Sequence, residues 1–171
     1  GAQTDAVDAG VFSPIHISAQ EGHSEVVRSL CEAGAQKDAV IAKGLTPMHF
    51  SARRGQVEVV RSLFEAGAHT DAVHPGGFTP MHSATTHGHV EVVRLLCEVG
   101  AQTDAVAAGG FTSMHCAAQL GHAGVVRSLC RAGAQKDAVS EHGLTPMHSA
   151  AANGHAEVVR RLCEAGAQTD A

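Results

Sequence analysis

The chain has 171 residues, of which 44% are hydrophobic and 17% are charged, as expected of a protein that folds around a hydrophobic core. The formal net charge of −5, five phenylalanines and no tyrosine or tryptophan argue against a nucleic-acid-binding protein, which would show a basic stripe and a base-stacking platform. No apolar run reaches the ~18 residues that a membrane-spanning helix needs, so we expect no membrane insertion.

The same residue types return every 33 positions along the chain. The simplest marker of this period is the histidine series His16, His49, His82, His115 and His148. A glycine, a Val-Val pair, an arginine and a leucine keep the same step, which chance does not produce, and a period of this length is typical of stacked solenoid units. We predict complete units at 8–40, 41–73, 74–106, 107–139 and 140–171, with residues 1–7 as the tail of a preceding unit.

The first unit, 8–40, departs from the others at its start. Val11 stands where each later unit has a glycine, and Gly10 lies one position earlier, so we expect a distorted turn. Both chain ends, 1–7 and 166–171, carry the same partial motif and fall inside a unit. We therefore expect the chain to be a segment of a longer array.

The second unit, 41–73, begins with a predicted helix. Thr46 is a suitable N-cap, because its hydroxyl can accept a free N–H of the first helical turn. Pro47 suits the first helical position, where no N–H donor is needed. The helix is predicted to run to about Arg54 and to end at Gly55, which can adopt a positive φ.

The second helix of this unit is predicted to run from about Val57 to Ala66 and to end at Gly67. Its apolar face consists of Val59, Val60, Leu63 and Phe64. Its opposite face consists of Glu58, Arg61 and Glu65, a solvated charge ladder worth about 0.2–0.5 kcal/mol per pair. The segment from Asp71 to Phe78 contains Gly76 and Gly77 and is predicted to turn into the next unit.

Short motifs recur at fixed places in the later units. They read GFTPMH, GFTSMH and GLTPMH at the first helices, and GHVEVVRLLCEVGA and GHAEVVRRLCEAGA through the second helices. In this combination, and over its whole length, the sequence resembles ankyrin repeats. The resemblance implies an α-solenoid of stacked ankyrin repeats, each a pair of antiparallel helices with a β-hairpin-like loop. It also implies a protein-binding role through a concave groove, with no enzymatic activity and no cofactor.

The motif histidines and the cysteines are interpreted as structural. In the family that the sequence resembles, the matching histidine ties the helix start to neighbouring backbone. Equivalent residues of packed helices lie about 8–10 Å apart, too far to share a zinc ion or to form a disulfide. Small core residues in a reducing, intracellular compartment (cytoplasmic or nuclear) are therefore predicted for Cys31, Cys97, Cys130 and Cys163. Cys116 could instead approach Cys130 as a redox pair, and this alternative is left open.

Three sets of residues form the predicted partner-binding surface. The residues just before each helix cap are Phe12, Leu45, Phe78, Phe111 and Leu144. The residues on the incoming arm of each hairpin are Val7, Val40, Val73, Val106 and Val139, of which the last four are included in the predicted surface. The variable residues at the first-helix ends are Arg53, Arg54, Thr86, His87, Gln119, Leu120 and Asn153, and Lys43 is added because it forms a basic spot with Arg53 and Arg54. Variation beside a fixed scaffold is what a recognition surface requires.

Two interpretations of the apolar sets stay open. Either they form an exposed stripe along the groove, or the Phe/Leu and Val side chains cover one another across each hairpin. Lys43, Arg53 and Arg54 form one basic spot that can hold a carboxylate. We predict a module, monomeric as a segment, that binds a protein or peptide partner; the alternative is a structural spacer or spring of a larger repeat protein.

Unit 107–139 is predicted to be the weakest internal unit. Ser113 replaces the helix-starting proline, and Gly124 in the second helix costs about 1 kcal/mol relative to alanine. Gly124 and Arg131 also replace the two glutamates that flank the arginine of most other units, leaving Arg127 without partners. We therefore expect Gly124→Glu to raise the stability.

Overall fold

The computed structural model describes residues 12–41 and 43–169. The predicted tail at 1–7, Val7 itself and the turn around Gly10 and Val11 lie outside the described residues. Within the described ranges, no helix is long and apolar enough to cross a lipid bilayer.

Ten α-helices of the described residues form five consecutive pairs. The first helices are α1 (Pro14–Glu21), α3 (Pro47–Arg54), α5 (Pro80–Thr86), α7 (Ser113–Gln119) and α9 (Pro146–Ala152). The second helices are α2 (Ser24–Glu32), α4 (Val57–Glu65), α6 (Val90–Glu98), α8 (Ala123–Arg131) and α10 (Ala156–Glu164). The two helices predicted for unit 41–73 are confirmed, with α4 one residue shorter than expected.

Helices α3, α5, α7 and α9 begin at a capping box in which histidine takes the place usually held by glutamate or glutamine. Thr79 Oγ1 accepts the backbone N–H of His82 at 3.4 Å, while Nδ1 of His82 accepts the backbone N–H of Thr79 at 3.3 Å. Helix α3 ends at Gly55, whose φ of 73° is left-handed and explains the glycine at this position. The threonine and the histidine three residues later therefore set where these four helices start.

Successive first helices pack on one another, as do successive second helices, and both rows contribute to one continuous core. Met48, Met81 and Met114 of the first helices are completely buried, and so are Leu63 and Leu96 of the second helices. This stack buries the apolar face that no single helix pair could bury alone.

The apolar face of the second helices is narrower than predicted. Val59, Val60 and Leu63 are buried, but Phe64 is 39% exposed. At the position equivalent to Phe64, Cys31, Cys97 and Cys130 are half-buried at the edge of the core, and Cys163 is exposed. The prediction of core residues is therefore wrong for Phe64 and Cys163, because this position lies at the edge of the core, where the other cysteines too are only half-buried. All five cysteines are free thiols, including the buried Cys116.

Tight hairpins connect the units. At the boundary between units 74–106 and 107–139, β1 (Val106–Ala107) pairs antiparallel with β2 (Phe111–Thr112), and the 3₁₀-helix Ala108–Gly110 separates the two strands. The turn predicted before Phe78 is confirmed: His74 N–H donates to Phe78 O at 3.1 Å, and Gly77 N–H donates to His74 O at 3.0 Å.

Neighbouring hairpins also bond to each other, since Ala108 N–H donates to Gly76 O at 2.8 Å. A Cβ on Gly77 would lie 2.8 Å from Ala107 Cα, so glycine permits this close approach. The hairpins therefore form a row along one side of the array.

Two features of unit 107–139 bear on its predicted weakness and on the stabilisation expected of Gly124→Glu. The Ser113 hydroxyl is buried without a hydrogen-bond partner in the described part of the chain, but so is the Thr85 hydroxyl of unit 74–106, so this feature does not separate the two units. A Cβ on Gly124, however, would lie only 2.9 Å from Val90 Cγ2 on the preceding second helix. This contact opposes the stabilisation expected of Gly124→Glu, because any side chain at that position must displace Val90.

Candidate protein-binding cleft

An open cleft of about 610 Å³ lies where the hairpins of units 41–73 and 74–106 meet helices α3 and α5. Its lining residues are Lys43, Leu45, Arg53, His74, Pro75, Phe78, Ser83, Thr86 and His87. Six of these belong to the predicted surface: Lys43, Leu45, Arg53, Phe78, Thr86 and His87. The cleft therefore joins an apolar position, a basic spot and two variable helix ends that are far apart in sequence.

Other predicted residues lie elsewhere on the array. Arg54 is exposed at the last turn of α3, and Asn153 is exposed just after α9, but neither lines the cleft. Gln119 and Leu120 are exposed at the end of α7. Phe12 lines a separate small hollow with two residues of α1.

Phe78 forms the aromatic wall of the cleft and is half-buried. Its ring stacks on His74 with centroids 5.5 Å apart and planes within 9°, and it meets His82 edge-on at 5.4 Å. His74 is held in turn by a 2.7 Å hydrogen bond between its Nδ1 and Pro75 O. This packing fixes the Phe78 ring before any ligand arrives and leaves part of it open to solvent.

In the β1–β2 hairpin, the valine lies on the opposite face from the aromatic residue. Register pairs Val106 with Thr112 and Ala107 with Phe111, and side chains alternate between faces along a strand, so Val106 and Phe111 point in opposite directions. The exposed valines are Val40, Val73, Val106 and Val139, each about 60% exposed. Across the β1–β2 hairpin, Val106 therefore does not cover Phe111. The two side chains also do not form one continuous apolar stripe. Val106 and Val139 line a separate hollow that contains Asp104 and Glu141.

The cleft carries a local positive charge on a protein whose formal net charge is −5. Lys43 and Arg53 are exposed on its rim, and none of the nine lining residues bears a carboxylate. Neither cation forms an ion pair within residues 12–41 and 43–169. The arrangement can therefore attract a negatively charged group beside an aromatic surface.

The motif histidines position the backbone of this cleft. Nδ1 of His49 accepts the hydroxyl of Thr46 at 2.9 Å and its N–H at 3.2 Å, while Nε2 donates to Phe78 O at 3.2 Å. Since Nδ1 is an acceptor, the ring is neutral, and burial lowers the pKa of His49 to about 4. The predicted structural role of these histidines is confirmed, and it extends from one repeat to the hairpin of the next.

The same bonds recur along the array. His82 reaches Phe111 O at 3.4 Å and His115 reaches Leu144 O at 3.0 Å, whereas His16 reaches Ala39 O at 2.9 Å. Burial lowers the pKa of all three histidines. Among the described residues, no group of three or more histidine, cysteine or acidic side chains is arranged to hold a metal ion.

Three lining residues were not predicted as binding residues: His74, Pro75 and Ser83. The signal for the first two was present in the sequence, since His74-Pro75 replaces Ile41-Ala42, Ala107-Ala108 and Ser140-Glu141 of the other units. A departure from the repeat consensus at a hairpin marks a position that the fold does not dictate. The fold alone requires neither residue.

The model of the family described as ankyrin repeats matches the chain in three overlapping copies, at residues 15–107, 66–140 and 99–171. A search of curated proteins finds no match to the chain.

Proposed function

The chain belongs to the ankyrin repeat family, whose members are generally protein–protein interaction modules, and we propose that it binds a protein or peptide through its concave cleft. The family is typically non-enzymatic. The proposed units are 8–40, 41–73, 74–106, 107–139 and 140–171, and the proposed binding centre is the cleft between the second and third of them.

The observation that supports this proposal is the convergence of variable residues on one cleft. Leu45 and Phe78 occupy the same position in two successive repeats, and Arg53 and Thr86 occupy another. The scaffold places each pair side by side, so residues that the fold leaves free to vary form a single surface. An aromatic residue fixed in such a surface is a frequent binding hot spot.

A second candidate function, a structural spacer with no ligand, is favoured by a regular series of hydrogen bonds between successive repeats. Aspartate Oδ1 atoms accept backbone N–H groups 31 residues further on, always at 2.8 Å. The pairs are Asp38 with His69, Asp71 with Gln102, Asp104 with Gln135, and Asp137 with Gln168. This ladder stiffens the array, and stiffness suits a spacer as well as a preorganised binding surface.

The two functions are separated by affinity capture followed by variants of the cleft. With the recovered partner, Phe78→Ala is expected to weaken binding about tenfold or more, since truncating a hot spot costs about 2 kcal/mol. Isothermal titration calorimetry gives the affinity, and circular dichroism checks that the helices are retained.

Phe111→Ala is the matched control, because Phe111 occupies the equivalent position, is half-buried and also packs against its motif histidine, at 5.2 Å. It lies outside the cleft and should weaken binding less than Phe78→Ala. Glu58→Ala on the exposed face of α4 should leave affinity nearly unchanged, since exposed charge pairs contribute about 0–1 kcal/mol. Loss of affinity with Glu58→Ala but not with Phe78→Ala would place the partner on the outer face and contradict the proposal.

A further inference from the structure

We propose that the cleft selects a peptide segment in which an aspartate or glutamate lies close to an apolar side chain. The inference rests on the proposed function and goes beyond it by naming the chemistry of the partner. It follows from the charges on the rim, the apolar wall, and the contrast with the other repeats.

The rim cations lack the partners that neutralise most arginines of this protein. In α2, Arg28 lies 3.1 Å from Glu25; in α4, Arg61 lies 3.9 Å from Glu58; in α10, Arg161 lies 3.0 Å from Glu157. Lys43 and Arg53 have no such carboxylate within the described residues. Their positive charge is therefore available to a ligand.

The backbone of Arg53 is already fixed by the fold. Arg53 O, in the last turn of α3, accepts a hydrogen bond from Nε2 of His89 at 2.9 Å. The bond ties the end of α3 to the following repeat and leaves the exposed guanidinium directed to solvent. The side chain of Arg53 thus extends from a fixed backbone, and its planar guanidinium can form a bidentate bond with a carboxylate.

The apolar part of the cleft lies beside these cations. Leu45, Pro75 and Phe78 line it, and the Phe78 ring is held by its stacking on His74. Ser83 contributes a half-buried hydroxyl that bonds to no other described side chain or backbone group, so it can bond to a ligand's main chain. The cleft thus offers an apolar contact, a polar contact and a cationic rim together.

The size of the cleft limits how far apart the two ligand side chains can be. An extended chain advances ~3.3 Å per residue, so a cleft of about 610 Å³ accommodates only a few consecutive side chains. The acidic and apolar side chains of the ligand must therefore be near neighbours in its sequence.

The other repeats do not reproduce this combination. The positions of Lys43 and Arg53 are held by Gly76 and Thr86 in the next unit, and by Gly109 and Gln119 in the one after it. The cationic rim thus occurs once in the internal repeats, beside Phe78. Because the pair of cations occurs at one place in these repeats, we expect an acidic ligand side chain to bind there specifically and not to be attracted equally along the array.

The experiment is selection of short random peptides displayed on phage against the immobilised 171-residue chain. We expect the selected peptides to be enriched in aspartate or glutamate next to leucine, isoleucine or an aromatic residue. The peptide most often recovered is then synthesised with a fluorescent label, and its affinity is measured by anisotropy at low and at high salt. We expect the affinity to fall as salt rises, because the rim is exposed and screened by ions.

Two double variants that change the net charge by the same amount test where the acidic side chain of the peptide binds. Lys43→Glu combined with Arg53→Glu should weaken the selected peptide about tenfold or more. Arg127→Glu combined with Arg131→Glu, on the exposed face of α8, should change its affinity less than about twofold. All four side chains are exposed, so both variants are expected to fold, which circular dichroism verifies.

The failures of the two proposals are distinguishable. If selected peptides depend on Phe78 but show no acidic enrichment and tolerate Lys43→Glu with Arg53→Glu, the acidic preference is overturned and the cleft remains a binding site. If equal losses arise from both double variants, the attraction is general and the inference is again overturned. If no peptide is selected, or binding survives Phe78→Ala as well, the proposed function itself fails.

Discussion

At the residue scale, His49, His82 and His115 each link a helix start to the hairpin of the next repeat. His49 receives two bonds from Thr46 on Nδ1 and gives one from Nε2 to the backbone of Phe78, so it can do both only when neutral. The histidine thereby holds the main chain that carries the aromatic wall of the cleft. A protonated Nδ1 would lose both bonds to Thr46 and place a charge in a buried site.

This arrangement predicts that acid destabilises the fold. Burial lowers the pKa of His49 from 6.5 to about 4, and it also lowers the pKa of His16, His82 and His115. Between those values the unfolded chain binds more protons than the folded chain, so the free energy of unfolding falls as pH drops below about 6.5. His49 alone accounts for a loss of about 3 kcal/mol once the pH reaches its folded pKa.

Urea unfolding followed by circular dichroism at about pH 7 and about pH 5 measures this loss. His49→Gln should be less stable at neutral pH and should show a shallower dependence on pH. His142→Gln, at an exposed position, is the control and should keep the wild-type slope. A free energy of unfolding that does not change over this interval would contradict the role assigned to the histidines.

At the scale of elements, the period of apolar residues correctly predicted the second helices and the centre of their buried face. It did not predict which residues at the edge of that face are buried. Val59, Val60 and Leu63 lie on the face that points into the stack, which the helical spacing alone determines. Phe64 lies one residue further around the helix, where burial depends on how far the neighbouring helix reaches. That distance is a property of the stack and cannot be derived from the sequence of one helix.

The contact between α6 and α8 predicts that Gly124 and Val90 are energetically coupled. Gly124→Ala should gain about 1 kcal/mol from helix propensity, but its Cβ would meet Val90 Cγ2 at 2.9 Å, so the net gain in the native background should be small. In a Val90→Ala background the obstacle is gone, and the same change should stabilise the array by about 1 kcal/mol.

A double-mutant cycle of unfolding free energies measures this coupling. Equal effects of Gly124→Ala in both backgrounds would show that Val90 moves aside without cost. In that case the earlier expectation for Gly124→Glu would be restored. The relative weakness of unit 107–139 remains a prediction, since the buried hydroxyls of Ser113 in this unit and of Thr85 in unit 74–106 both lack a hydrogen-bond partner among the described residues.

At the scale of the whole molecule, the sequence predicted the architecture that all repeats share. It did not predict the cleft, which is formed by residues that differ between repeats. The helix pairs, hairpins and stacking follow from a pattern that five units share. The cleft arises from departures, with Lys43 and Arg53 from one unit and His74 and Pro75 from the next. Their proximity depends on how two hairpins and two helices meet, which the sequence pattern does not specify.

The central claim is that the partner lies in the concave cleft, and site-directed photo-cross-linking tests it most directly. A photoreactive benzoylphenylalanine is placed at Thr86, which lines the cleft, or at Glu58, which is exposed on the outer face of α4. Each variant is irradiated with the partner recovered by affinity capture, and the products are identified by mass spectrometry. The account predicts a covalent product from position 86 and none from position 58. A product from position 58 and none from position 86 would contradict it.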